Sequence, residues 1–130
     1  MSDEKPDHKE VCMERKYQQL KVWTESMLLA EMVYKSLVDL PASERFGLAG
    51  QLRRACVSIP SNIAEGAGRG SDREFVRFLQ IAKGSLQELE TQLLLCTRLK
   101  LLSNTKSLLE ATNRVFALLS AFINKLKQYF

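Results

Sequence analysis

The chain has 130 residues, is 45% hydrophobic and 26% charged, and carries a formal net charge of +4 at pH 7. That length suits one compact core without disulfides or metals, and the apolar content is too high for a disordered polymer. The single His8 and the wide spacing of Cys12, Cys56 and Cys96, with no Cys-x-x-Cys pair, argue against a zinc site.

The charge is unevenly spread. Residues 1–50 have a net charge of −2 and residues 96–130 a net charge of +5. A basic C-terminal part can meet an anionic partner such as nucleic acid, or it can be a solvated helix face. No apolar signal segment opens the chain, and no window is long and apolar enough to span a bilayer. These features, with unpaired cysteines, lead to the expectation of a reduced, cytoplasmic protein with no membrane contact.

Residues 1–16 lack an apolar period and are expected to form a flexible tail, with one bundle domain over 17–130. The first helix, about 17–39, shows Leu20, Trp23, Met27, Ala30, Tyr34 and Leu37 at three- and four-residue steps, an apolar stripe expected to face the core. Pro41 disfavours helical geometry in the residue before it and so sets the stop.

The second helix, about 43–67, starts from the Pro41–Glu44 turn, with Glu44 suited to the positive end of the helix dipole. Phe46, Leu48, Leu52, Ala55, Cys56, Ile59 and Ile63 form its stripe. Pro60 lies inside it and is expected to bend or break it. Ser58, Asn62, Glu65 and Arg69 step by four, three and four as a small-polar stripe. That stripe is open to three readings: a subunit contact, a cap on a loop within the monomer, or solvent. Gly66, Gly68 and Gly70 mark the exit loop.

In the third helix, about 72–101, Ser71 and Glu74 have the spacing of a capping box. Phe75, Phe78, Leu79, Ala82, Leu86, Leu89, Leu93, Cys96 and Lys100 follow at helical period. Gly84 costs about 1 kcal/mol relative to Ala, which suggests a close helix crossing there. The fourth helix, about 104–128, presents Leu108, Ala111, Val115, Leu118, Leu119, Phe122, Leu126 and Tyr129. No strand period or hairpin signal occurs. The fold class is therefore all-α, an antiparallel up-down-up-down four-helix bundle.

Candidate chemistry is sparse. Ser or Cys catalysis wants a nearby base, and the only His is His8. Neither a Glu-x-x-His pair nor a Walker-type loop is present. The expectation is no catalytic residue, no metal, no cofactor and no enzyme. Arg69, Arg73 and Arg77 step by four and can hold successive phosphates, or can pair with Glu65, Asp72 and Glu74. Arg53 and Arg54 precede them, and Arg114, Lys125 and Lys127 add charge on the fourth helix, with Tyr129 and Phe130 beyond. These eight cations are the candidate nucleic-acid contacts.

Ordered motifs over roughly residues 20–100 carry a family resemblance. They are Leu20-Lys21-Val22-Trp23, Glu44-Arg45-Phe46-Gly47-Leu48, Gln51-Leu52-Arg53-Arg54-Ala55, Ser58-Ile59-Pro60-Ser61-Asn62-Ile63-Ala64-Glu65-Gly66, Glu74-Phe75-Val76-Arg77-Phe78-Leu79 and Gly84-Ser85-Leu86-Gln87-Glu88-Leu89-Glu90-Thr91-Gln92. Together they resemble the four-helix-bundle proteins encoded in intervening sequences of 23S ribosomal RNA genes, the S23 ribosomal protein family. The resemblance implies a bacterial, cytoplasmic bundle similar to the accessory variability determinant of diversity-generating retroelements, a basic pentamer that binds nucleic acid and a reverse transcriptase. It implies a homo-oligomer, most simply a pentamer, with RNA or DNA as partner; the small-polar stripe itself offers Ser58, Asn62 and Glu65 as candidate interface residues. The alternative is an oligomeric scaffold that binds a protein partner, for example a reverse transcriptase, with little nucleic-acid affinity of its own.

Overall fold

Apolar periods of 3.6 residues, interrupted at Pro41, at Gly68–Gly70 and around Ser103, divide the chain into four long helices. The computed structural model describes residues 15–130 and forms them as α1 (Lys21–Ser36), α2 (Leu48–Ala67), α3 (Asp72–Arg98) and α4 (Thr105–Lys127). Short 3₁₀ turns at Lys16–Gln19, Leu37–Asp39 and Ala42–Glu44 join or precede them. Among the described residues there is no strand. Apart from Arg15 and Lys16, the expected tail, with His8 and Cys12, lies outside the described residues.

The molecule is a four-helix bundle in which each helix packs on its sequence neighbours and α1 closes the ring against α4. Between α2 and α3, and between α3 and α4, partners rise along one helix as they fall along the other. Ser58 meets Ser85 and Gln51 meets Gln92. Phe75 packs edge-on against Phe122, and Arg73 lies over Phe130. Asn104, before α4, donates to Ser36 at the end of α1. The core holds fully buried Leu29, Leu52, Ile59, Ile63, Leu79, Leu86, Leu89, Leu93, Leu108 and Leu119. Each such side chain contributes roughly 1.5–3 kcal/mol of apolar transfer.

The structure corrects several expectations. In α1 the fully buried face is Val22, Ser26, Leu29, Val33 and Ser36, while Leu20, Trp23, Ala30 and Leu37 of the expected stripe pack against the core only partly buried. The two serines hide this register in the sequence. Their hydroxyls are satisfied inside the helix, Ser26 donating to the Trp23 carbonyl (2.8 Å) and Ser36 to that of Met32 (2.9 Å). Met27 and Tyr34 are exposed instead.

The second helix starts at Leu48, not near 43, because Ala42–Glu44 forms a separate turn. Glu44 still serves the helix start: its Oε1 accepts from the Leu48 amide at 3.2 Å. Phe46, placed on the core stripe by its spacing, falls in the following turn at Arg45–Gly47 and is 91% exposed. Tyr129, also given to the core, is exposed past the end of α4. Pro60 does not break α2, which runs unbroken through it.

At the start of α3, Ser71 Oγ accepts from the Glu74 amide (3.2 Å), so half the capping box forms. The Glu74 carboxylate turns to Arg77 instead of reaching back. The close helix crossing occurs at Gly66, not Gly84. A Cβ on Gly66 would sit 2.6 Å from Phe78 Cβ, whereas one on Gly84 would meet nothing within 4 Å. The third helix ends at Arg98, with Lys100 left-handed (φ 55°) and Leu101 bonded back to the Cys96 carbonyl at 2.9 Å.

Candidate nucleic-acid interface and neighbouring clefts

Short links and the Phe75–Phe122 contact bring the start of α3 and the end of α4 together. This gathers Arg69, Arg73, Arg77, Lys125 and Lys127 at one end of the bundle. Phe78, itself buried, is flanked there by two guanidiniums, Arg69 at 4.7 Å and Arg77 at 4.6 Å from the ring centroid. Arg73 lies 4.7 Å from the ring of Phe130. Each of the three guanidiniums thus lies against an aromatic ring.

Their charges are not equally free. Arg77 donates through Nε and Nη2 to the two carboxylate oxygens of Glu74, each at 3.2 Å. That bond, and more weakly the charges of Arg77 and Arg69, hold the Glu74 carboxyl below its usual range. Arg69 sits 3.7 Å from Glu65. Arg73 has no carboxylate within ion-pair reach among the described residues. Lys125 and Lys127 occupy the last turn of α4, where the helix dipole favours cations.

The remaining candidates lie elsewhere. Arg53 donates to the Arg45 carbonyl at 3.1 Å and so ties down the turn before α2. Arg54 is exposed but stands roughly 20 Å along the helix axis from Arg69. The Arg53–Arg54 pair therefore does not join the basic end. Arg114 is exposed and shares a depression between α1 and α4 with Glu25, Glu31 and Lys35, so acidic neighbours offset it.

The small-polar stripe divides. Asn62 Nδ2 donates to the Ser58 carbonyl (2.8 Å) and to Ser58 Oγ (3.0 Å), and Ser58 Oγ bonds Ser85 Oγ (2.8 Å). Ser58 and Asn62 thus make their bonds within the chain, while Glu65 is exposed beside Arg69.

Two concavities were not read from the sequence. A polar cleft of about 180 Å³ between α2 and α3 is lined by Gln51, Arg54, Ser58, Ser85, Glu88 and Gln92. An apolar groove of about 440 Å³ lies between α1 and α2, with Trp23, Met27 and Tyr34 on one wall and Val57, Pro60 and Ala64 on the other. The groove's α1 wall is the stripe that spacing had assigned to the core. The cleft's signal was present as two polar runs, 51–54–58 and 85–88–92, whose facing register only the packing reveals.

Both described thiols are buried. Desolvation pushes Cys56 up to about 11 and raises Cys96, the reverse of an activated nucleophile. Among the described residues no three His, Cys, Asp or Glu side chains group closely enough to hold a metal, and no helix is long and apolar enough to cross a membrane.

No curated protein matches the chain. Among solved structures it is similar to a crystal structure of a protein with unknown function from the S23 ribosomal protein family of Bacteroides thetaiotaomicron VPI-5482. The TM-score is 0.71 at 27% identity, covering 78% of this chain and 97% of that one. The family model for the 23S rRNA-intervening sequence protein matches residues 18–121. With most of the chain matched, and the bundle shared with a solved S23 relative, the protein belongs to the 23S rRNA-intervening sequence protein family.

Proposed function

We propose that this protein is a non-enzymatic, cytoplasmic, homo-oligomeric bundle of up-down-up-down topology that binds RNA or DNA through its basic end. The observation that carries the reading is the gathering of Arg69, Arg73, Arg77, Lys125 and Lys127, with the three guanidinium carbons 4.6–4.7 Å from aromatic ring centroids. Planar guanidiniums suit phosphate oxygens. The pairing of facing residues along neighbouring helices supports the topology. Buried thiols of raised pKa support a non-catalytic role.

Self-association rests on a second pair of features. Phe46 projects 91% exposed from the α1–α2 turn, and the groove between α1 and α2 is apolar and unfilled. A knob on one copy entering the groove of the next is a heterologous contact, which closes into a ring when the rotation allows. The resemblance that the sequence motifs imply to the pentameric accessory variability determinant of diversity-generating retroelements favours five copies. In a ring the basic ends repeat, so a modest charge per chain becomes a strong field per assembly.

A mobility-shift assay across salt tests the reading. Affinity is expected to fall steeply with salt and to drop more in Arg73→Glu than in Arg77→Glu, because Glu74 already neutralises Arg77. Absence of binding at about 50 mM salt, where the electrostatic contribution is strong, would overturn it. That result favours the scaffold reading, in which the groove holds a protein partner such as a reverse transcriptase.

A further inference from the structure

The polar cleft between α2 and α3 has a hydrogen-bonding pattern that the bundle itself leaves incomplete. Gln92 Oε1 is buried and accepts no bond among the described residues, although its amide nitrogen reaches Gln51 Oε1 at 3.5 Å. Across the floor, Ser58 Oγ and Ser85 Oγ share one hydrogen at 2.8 Å, and Asn62 donates to Ser58 at 3.0 Å. Whichever serine donates in that pair, one hydroxyl hydrogen has no acceptor in the network. Glu88 and Arg54, on opposite walls, each lack an ion-pair partner among the described residues.

The walls differ in sign. On α3, Glu88 and Gln92 are one helical turn apart and present acceptors. On α2, Arg54 presents donors, and the serine hydroxyl adds another. A ligand that fits therefore carries donors on one edge and acceptors on the other. The volume, about 180 Å³, is below the roughly 300–1,000 Å³ of clefts that hold drug-sized ligands. It suits one planar ring system and leaves any attached sugar and phosphate outside, near Arg54.

Guanine meets that description. Its N1–H and N2–H₂ donors match a carboxylate and an amide oxygen, while O6 and N7 accept from an arginine or a hydroxyl. Adenine and uracil offer no such pair of adjacent donors to a carboxylate. We infer that the α2–α3 cleft holds a single unpaired guanine base of a bound single strand, with Glu88 and Gln92 Oε1 reading its donor edge and Arg54 its acceptor edge. This rests on the nucleic-acid reading above and adds base preference to it, at a site distinct from the basic end.

The test compares two single-stranded RNAs of equal length, one all uracil and one with a single central guanine, at a salt concentration high enough to weaken phosphate contacts. The guanine strand is expected to bind about ten-fold more tightly, as one good base contact implies. Glu88→Ala, an exposed substitution on a helix, is expected to bring the guanine strand down to the all-uracil affinity. Equal binding of the two strands to the unaltered protein overturns the cleft assignment and leaves the basic-end reading standing. If neither strand binds at any salt, the basic-end reading fails, and titration with 5′-GMP followed by NMR at the Gln92 side-chain amide decides the cleft separately. A saturable shift with GMP and none with 5′-AMP supports it; no shift with GMP overturns it.

Discussion

Against α3, α2 is drawn in so closely that a single methyl group at Gly66 would strike Phe78. Against α1 it stands off, and an apolar groove remains between Trp23 and Tyr34 on one side and Val57 and Pro60 on the other. The first flank is closed by shape and by bonds: Gly66 admits the aromatic side chains of α3, and the Ser58–Ser85–Asn62 network pins the register. The second flank has the greasier surface, and among the described residues nothing fills its groove. Hydrophobicity alone thus does not say which surfaces a bundle buries internally. Close approach and satisfied polar groups do, and the apolar surface left over is available to a neighbour.

The sharpest way to break this comparison is to remove the close approach. Gly66→Ala places a Cβ 2.6 Å from Phe78 Cβ and 3.0 Å from Phe75 Cδ1. Overpacking of this kind is expected to lower stability by about 1–3 kcal/mol, read as a shift in the urea unfolding midpoint. Gly84→Ala on α3 is the control, since a methyl group there meets nothing within 4 Å. It is expected to raise stability by up to about 1 kcal/mol through helix propensity. Equal effects at the two glycines would mean that α2 and α3 are not closely apposed.

This contrast was only partly legible in the chain. The stripes of α2, α3 and α4 could be read because Leu52, Ile59 and Ile63, or Leu79, Leu86 and Leu93, stand among polar neighbours. The α1 register could not, because Met27 and Tyr34 mimic a core stripe while Ser26 and Ser36 sit in the real one. Phe46 looked like core by spacing, but the turn at Arg45–Gly47 takes it out of the helix. In the candidate site, the four-residue step of Arg69, Arg73 and Arg77 was visible. Their approach to Phe78 and Phe130 was not, since for Arg73 it depends on which helix ends meet. The cleft lay beyond reach for the same reason: nothing local aligns Gln51 with Gln92.

A smaller effect tests the bonded seam. Asn62→Leu removes two hydrogen bonds to Ser58. The loss is expected to be about 1 kcal/mol of folding stability, with the mass of the assembly by light scattering unchanged. A variant that folds with full stability but loses its assembly would move Asn62 from the internal seam to a contact between copies.

The smallest effect on folding belongs to the open flank, where the consequence for assembly is expected to be largest. Val57 is 43% exposed on the groove wall, and Phe46 is 91% exposed on its turn. Surface substitutions away from packed features typically change stability by about 0.5 kcal/mol or less, so Val57→Asp and Phe46→Ser should leave the helical signal and unfolding midpoint nearly unchanged. If Phe46 of one copy enters the groove of the next, each variant alone should yield a monomer, because each removes one half of the same contact. Mixing the two should then restore a single contact per pair, the Phe46 of the Val57→Asp chain meeting the intact groove of the Phe46→Ser chain, which limits growth to a dimer. Light scattering on the two variants and on their equimolar mixture reads all three states. A mixture that stays monomeric, or single variants that keep the parent mass, would show that knob and groove are not partners. The apolar flank of α2 would then have to be explained by a different protein.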